Sequence, residues 1–344
     1  MKPILDNLVE MTGHRDHLRL EVSVLSTLQK LPSIKTVRAL EMFQSGGESW
    51  VRPRTWSENG TMVSSNWEAP ADPRRQPLSA YGALQECIAR REPRALHSPR
   101  RGEHTLWLPV WLHDQVHACI EVTQSRPFAA HKLDVIQSVF FVYQNYQSLL
   151  DYSERDALTG LFNRKTFDEQ FARRAGVPAG ALPAEASEAP SDQDEPLQHW
   201  IAVVDIDHFK QVNDRFGHLY GDEVLILIAN LLRNSFRSHD RIFRFGGEEF
   251  VVLLRSTTLS TAHKAFNRFR TTVQEYQFPQ VGQVTVSLGF ASTERGAPVE
   301  ILGQADQALY FAKEHGRNRV CYYDDLVREG HLHAKVANDD VELF

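Results

Sequence analysis

The stretch Arg244-Phe245-Gly246-Gly247-Glu248-Glu249-Phe250 constrains this chain more than any other. Ile242 and Phe243 lead into it, and Val251, Val252, Leu253 and Leu254 follow. Two short runs rich in β-branched and aromatic residues around a glycine pair predict a β-hairpin that turns at Gly246 and Gly247. Glycine there permits positive φ and lets a phosphate or a metal approach the backbone without meeting a Cβ. Two carboxylates follow at once. Taken alone, the tip reads either as a solvated turn with two surface glutamates or as a place where a cation sits.

A second stretch sharpens that choice. Trp200-Ile201-Ala202-Val203-Val204-Asp205-Ile206-Asp207 is a continuous apolar run ending in alternating aspartates. A β-branched run of this length predicts a buried central strand. Side chains alternate at period two, so Asp205 and Asp207 share one face at its end. If this strand neighbours the hairpin, the two acidic clusters meet. Converging carboxylates repel one another unless divalent cations or shared protons hold them together. Hard oxygen ligands favour Mg²⁺, which keeps water and substrate phosphate as its other ligands. Two such ions stabilise the attacking and leaving oxygens of an in-line displacement at phosphorus. Lys210, Lys313 and Arg317 would offset triphosphate charge, and Asn213 and Asp222 would read a base edge. An aspartate accepts from the two nitrogens of a guanine edge and disfavours adenine.

At 344 residues the chain can bury more than one core, so two domains are expected. Apolar content of 42% and charged content of 24% are those of a soluble globular protein. A formal net charge of -6 gives no drive toward nucleic acid or an anionic membrane, and neither is expected as a partner. Cys87, Cys119 and Cys321 are too scattered for a disulfide framework or a thiolate metal site. No apolar run reaches membrane-span length, and the stretch after Met1 lacks a signal-peptide core. A cytoplasmic location is therefore expected.

In chain order, residues 14–30 read as a helix with Leu18, Val22, Leu25 and Leu28 inward, and 36–43 as a strand. An irregular Trp-, Pro- and Arg-rich stretch is expected from Gly46 to Pro77, then a helix over 78–90. Strands over 105–109 and 116–123 are joined near His113 and Asp114. The element order over 1–130, with its closing hairpin, resembles a GAF-type sensory domain and implies an antiparallel sheet with helices and a ligand of unknown identity. His113, His117 and Cys119 invite a metal or haem reading, against the ordinary one of an exposed turn and a core thiol. Residues 131–155 form a connecting helix with Ile136, Val139, Tyr143, Tyr146 and Leu150 at heptad spacing. It either pairs with a second chain as a signalling helix or packs on its own domain. Residues 175–198 are a flexible, proline- and acid-rich insertion. Helices are expected over 165–174, 219–236, 261–276 and 299–315, strands over 284–291 and 319–323, and a polar peripheral tail over 325–344.

Several motifs agree in order and spacing with one family. Asp156 to Arg164, Asp205-Ile206-Asp207-His208-Phe209-Lys210, Asn213-Asp214, Phe216-Gly217-His218, Gly221-Asp222, Gly246 to Phe250 and Lys313 to Asn318 resemble the GGDEF domain of diguanylate cyclases, over residues 156–324. The resemblance implies a palm-like α/β domain with a ferredoxin-like core and a five-stranded sheet. It implies condensation of two GTP into cyclic di-GMP, with pyrophosphate released, across a homodimer. By position, Asp205, the Ile206 carbonyl and Glu248 resemble the ligands of Mg²⁺ (or Mn²⁺), and Glu248 also the general base. Lys210 resembles the transition-state stabiliser, and Lys313 and Arg317 further phosphate contacts. Asn213, His218 and Asp222 match guanine or ribose contacts, and Gly246 and Gly247 the turn that admits the phosphates. Asp207 reads as a structural carboxylate. Arg237-Ser238-His239-Asp240 matches the family's RxxD product-inhibition site, with Arg268 as a second arginine; a surface salt bridge is the ordinary alternative. His208 stands where an aromatic is more usual. Two rivals are weighed. A non-catalytic cyclic di-GMP receptor would keep Arg237 and Asp240 and lose the acids, which are present here. A palm-type cyclase or polymerase acting on one nucleotide meets Asn213 and Asp222, which argue for guanine, and lacks a basic groove for a template.

Overall fold

The structure, a computed structural model, describes residues 9, 11–14, 16–58, 60–65, 71–100, 102–112, 115–175, 195–237, 240–294 and 296–333. The chain divides into two units, Met1–Ser153 and Glu154–Phe344. Most of the expected insertion over 175–198, the residues 334–344 of the tail, and His113 lie outside the described residues.

In the first unit, α1 (His17–Gln29) starts where the Asp16 side chain accepts from the backbone of Leu18 and Arg19. Such a cap contributes about 1 kcal/mol. Leu20, Val24, Leu25 and Leu28 face the core, whereas Leu18 is exposed. The inward face is thus rotated from the expected Leu18–Val22 phase, because Glu21 goes inward to meet Arg54 and Thr55. A seven-stranded sheet follows in the order β3-β2-β1-β7-β6-β5, with β4 on β2. Its strands are β1 (Ile34–Ser45), β2 (Glu48–Glu58), β3 (Thr61–Ser64), β4 (Gln76–Pro77), β5 (Ala95–His97), β6 (His104–Leu112) and β7 (Gln115–Gln124).

The stretch expected to be irregular from Gly46 is instead the hairpin of β1 and β2. Gly46 (φ 62) and Gly47 (φ 81) form a two-residue turn between Ser45 and Glu48, the turn chemistry that hairpins favour. Pro53 argues against a strand in sequence. It is accommodated opposite the register shift at Ala39/Leu40, in the gap between the residues that pair with β3 and with β4.

A 3-10 turn (Leu78–Ala80) and α2 (Gly82–Ala89) cover one sheet face through Leu84 and Cys87. On the other face α1 packs beside α3 (Ala130–Glu154). Ile136, Val139, Tyr143 and Leu150 of α3 are buried in this unit's own core. The heptad spacing on this face thus reports intramolecular packing. Cys119 is fully buried and His117 exposed, so they form no joint site. Among the described residues no three His, Cys, Asp or Glu side chains are arranged to hold a metal.

The main sheet of the second unit has six strands among the described residues rather than the expected five, in the order β15-β14-β9-β11-β10-β8. These are β8 (Phe162–Asn163), β9 (Gln198–Ile206), β10 (Arg241–Gly246), β11 (Glu249–Thr257), β14 (Val286–Ser292) and β15 (Val320–Tyr322); β12 (Gln277–Phe278) and β13 (Gly282–Gln283) pair apart. The added strand, β8, has only two residues, too short to leave a periodicity. β9 lies in the middle and every residue from Trp200 to Ile206 is buried, as an uninterrupted apolar run requires. Val204 and Ile206 point to α5 (Phe209–Phe216), α6 (His218–Ser235) and α7 (Leu259–Glu275). Ile201 and Val203 point to α4 (Arg164–Ala175), α8 (Pro298–Glu314) and α9 (Tyr323–Arg328). α9 corrects the expectation of a wholly peripheral tail, since Leu326 is buried in that core. Gly289 of β14 lets α8 approach: a Cβ there would lie 2.0 Å from Leu309 N and 2.2 Å from Ala305 O. Among the described residues no helix is long and apolar enough to cross a membrane.

Candidate active site

Strand register brings the two acidic stretches together. Glu249 of β11 and Ser287 of β14 both pair with Asp205. Directly paired residues point to the same side, so all three share the face that α8 covers. From α8, Lys313 Nζ donates to Asp205 Oδ2 at 2.8 Å. Burial pushes the Asp205 carboxyl above its usual range; Lys313 and Arg317 offset part of this and Asp207 adds to it. Burial and then the Asp205 charge likewise raise Glu248 and Glu249. The Lys313 charge partly offsets the rise at both glutamates. The site therefore holds three partly desolvated carboxylates against a single lysine at close range.

The turn that carries Glu248 is braced from a distance. Arg244 donates through Nη2 and Nε to the Gly247 carbonyl at 2.9 and 3.2 Å, and through Nη1 to Asp156 Oδ1 at 2.9 Å. Asp156 Oδ1 also accepts from the Thr159 amide and hydroxyl. The turn after α3 thus fixes the hairpin tip, a role invisible in sequence because Asp156 and Arg244 are 88 positions apart. Gly247 has φ 44, and Cβ atoms on Gly246 or Gly247 would meet nothing within 4 Å, so the tip faces open space. Arg164 lies over the Phe245 ring at 4.5 Å and supports the same strand.

Asp207 is fully engaged, as expected of a structural carboxylate. It accepts from Ser287 Oγ at 2.6 Å, Thr285 Oγ1 at 2.7 Å and the Asn318 amide at 3.0 Å. The chain then bends sharply. His208 takes the left-handed conformation (φ 59) before α5, where a non-glycine residue is strained. Lys210 follows on the exposed first turn of α5. Gly217 (φ 89) separates α5 from α6, and exposed His218 opens α6. A Cβ on Gly221 would lie 2.0 Å from Asn213 Oδ1. Only glycine there lets the Asn213 amide settle beside α6, next to exposed Asp222. Asn213 thus sits against α6 at Gly221, one short helix away from Asp205, and Asp222 follows Gly221 on α6.

A further cluster is at the far end of α6. Asp240 Oδ2 accepts from the Arg237 amide at 2.9 Å and Oδ1 from the Arg255 amide at 3.3 Å. Arg268 donates to the Ser235 carbonyl at 2.7 Å, which sets its guanidinium beside the same loop. Ser238 and His239 lie outside the described residues. Glu249 and Arg244 are the residues that sequence reasoning left without a role; strand register and a long-range hydrogen bond assign them.

Residues 153–319 match the family model described as diguanylate cyclase, GGDEF domain. This part of the chain belongs to the GGDEF family. The GGDEF domain brings with it 41% identity over 169 residues to diguanylate cyclase DgcP of Pseudomonas aeruginosa, covering 48% of this chain and 23% of that protein. It is 38% identical over 181 residues to probable diguanylate cyclase DgcT of Escherichia coli, covering 50% and 36%. The solved coiled coil and GGDEF domain of DgcB from Caulobacter crescentus, in complex with c-di-GMP, resembles this chain with a TM-score of 0.47 and 29% identity, covering 56% of this chain and 97% of that one. The chain thus spans well under half the length of these two curated relatives.

Proposed function

We propose that this chain is a diguanylate cyclase, joining two GTP into cyclic di-GMP with release of two pyrophosphates. The observation that carries the reading is the meeting of Asp205, Glu248 and Glu249 around Lys313 at the open glycine turn. Naming relatives as diguanylate cyclases supports the same chemistry.

Two carboxylates and a backbone carbonyl, completed by water and substrate phosphate, make a donor set that Mg²⁺ accepts. Asp205, the Ile206 carbonyl and Glu248 would hold it, or Mn²⁺, and when bound it neutralises triphosphate charge. Lys210, Lys313 and Arg317 bind the phosphates. Asp222 accepts from the guanine N–H groups and the Asn213 amide donates and accepts along the same edge, with His218 at the ribose. Glu248, whose carboxyl is already raised by burial and Asp205, takes the proton of the attacking 3′-hydroxyl, and a raised pKa suits a base. Each domain holds one GTP. Each 3′-oxygen bonds to the α-phosphorus of the other nucleotide, and the bond to pyrophosphate breaks. Two chains must therefore face each other, and the active unit is a homodimer. Arg237, Asp240 and Arg268 form a site for the product, which restrains turnover. The first unit is a GAF-type sensory module, and the protein acts in the cytoplasm.

The test is incubation of the full-length protein with GTP and Mg²⁺, separated by chromatography, with ATP in parallel. Cyclic di-GMP from GTP alone supports the reading, and its loss in Glu248→Gln with folding intact ties it to this site. A chain that binds cyclic di-GMP yet makes none, also as residues 154–344 at high concentration, is a receptor instead.

A further inference from the structure

A cleft of about 580 Å³ opens in the first unit between α3 and one edge of the sheet. Leu108, Pro109 and Trp111 of β6 line one side, and Phe140 and Phe141 of α3 the other. Its volume lies in the range of small-molecule sites.

Two prolines keep it open. β5 pairs with β6 through Ala95↔Trp107, Leu96↔Leu106 and His97↔Thr105. Continuing that register by two sets Pro93 opposite Pro109, and both line the cleft. Neither has an N–H, so the ladder stops there. Proline at a sheet edge also deters an incoming strand, which favours a small molecule over an extended peptide.

The cleft offers an ion no unshared counter-charge. No Asp or Glu is among the described residues that line it. Arg91 is the one charged residue among them, and it already has a partner. An ion entering there would give up water without full compensation. A neutral ligand escapes that cost.

What the polar lining does offer is neutral hydrogen bonding. The half-buried Gln144 of α3 has a side-chain amide with no partner among the described residues. The same holds for the indole N–H of Trp111, whereas Trp107 and Trp200 donate theirs to Glu121 and to the Thr257 carbonyl. A half-buried indole N–H ordinarily finds an acceptor. Gln137 accepts from Arg94 Nη1 at 2.7 Å through its amide oxygen, which leaves its amide nitrogen to donate. These N–H groups suit a carbonyl oxygen. Phe141 is 63% exposed, a large ring left uncovered on the wall, and aromatic walls suit a flat ring.

We propose that this cleft binds a neutral, planar bicyclic aromatic that carries a ring carbonyl, with Trp111, Phe140 and Phe141 holding the rings and the Gln144 amide donating to the carbonyl oxygen. The assignment stands apart from the cyclase reading, because it is read by binding and not by turnover.

Calorimetric titration of the full-length protein with coumarin, a flat bicycle with a lactone carbonyl, tests it. Naphthalene, which lacks the carbonyl, and 2-naphthoate, which adds a charge, are the controls. One saturable site per chain is expected for coumarin, and at least fivefold weaker binding for each control. Gln144→Leu is the decisive variant. Leucine keeps the bulk and suits a helix, so the thermal midpoint should hold while coumarin affinity falls at least fivefold and naphthalene affinity does not fall. Phe141→Ala should weaken coumarin and naphthalene alike. Absence of saturable coumarin binding, equal affinity for either control, or unchanged coumarin affinity in Gln144→Leu would overturn the proposal.

Discussion

Lys313 Nζ sits 2.8 Å from Asp205 Oδ2, and Asp205 is only 4% exposed. A carboxylate so deeply placed depends on its one close cation. Lys313→Met should therefore lower the stability of the second unit by about 1–3 kcal/mol in metal-free buffer, the usual cost of an unpaired buried polar group. Urea denaturation measures it. Added Mg²⁺ should recover part of the loss, by binding the folded state alone; a variant as stable as the parent would show that Asp205 does not rely on the lysine.

Gly289→Ala should destabilise the second unit by about 3 kcal/mol, at the upper end for an overpacked core. The added methyl would meet the backbone of α8 at 2.0 Å, and backbone cannot step aside as a side chain can. Gly303→Ala, on α8 itself with nothing within 4 Å of the new Cβ, is the control. It should stabilise by about 0.5–1 kcal/mol from helix propensity. Equal effects of the two would remove the close approach as the reason for Gly289.

Gly221→Ala acts on the proposed base-reading cluster. Its methyl would displace the Asn213 side chain, whose Oδ1 lies 2.0 Å from the new Cβ. A roughly tenfold rise in KM for GTP is expected, about 1.4 kcal/mol of binding, with a smaller change in kcat. Steady-state kinetics decide; a change confined to kcat would take Asn213 out of substrate binding.

The first unit should be acid-sensitive through Asp72. Burial works against its charge, but hydrogen bonds from Arg74 and Ser65 outweigh it and hold the carboxyl well below the ordinary 3.8. A depressed carboxyl pKa contributes stability that is present above the unfolded value and lost as pH falls through the folded one. Unfolding free energy, followed by tryptophan fluorescence, should therefore drop as pH goes below 3.8. Asp72→Asn should flatten that slope. At pH 7 it should cost about 3 kcal/mol, because Arg52 and Arg74 lose their buried partner. An unaltered slope would place the acid sensitivity elsewhere.

Arg237→Ala should relieve inhibition by cyclic di-GMP, shifting the half-inhibitory concentration upward at least tenfold with the uninhibited rate kept. Arg268→Ala should shift it less, since Arg268 is tied to the Ser235 carbonyl. An unchanged inhibition curve in the first variant would remove the product site.

What the sequence determined by itself was local. The apolar run at Trp200 to Ile206 could only be a buried strand, and Gly246 and Gly247 could only be a turn. The resemblance of its motifs to the GGDEF domain also pointed to Asp205, Glu248, Lys313, Asn213 and Asp222. Tertiary structure decided which of them meet. The pairing of Glu249 with Asp205, the grip of Arg244 on Asp156 and the entry of Lys313 from α8 join residues far apart in the chain. No periodicity records such contacts, because they depend on strand order and helix packing. The same reason hid β2, whose Pro53 reads as a break until its partner supplies a bulge. It also hid the use of the heptad face of α3. One apolar stripe looks alike whether it covers a sheet or a second helix, and only the packed fold shows which partner removed it from water.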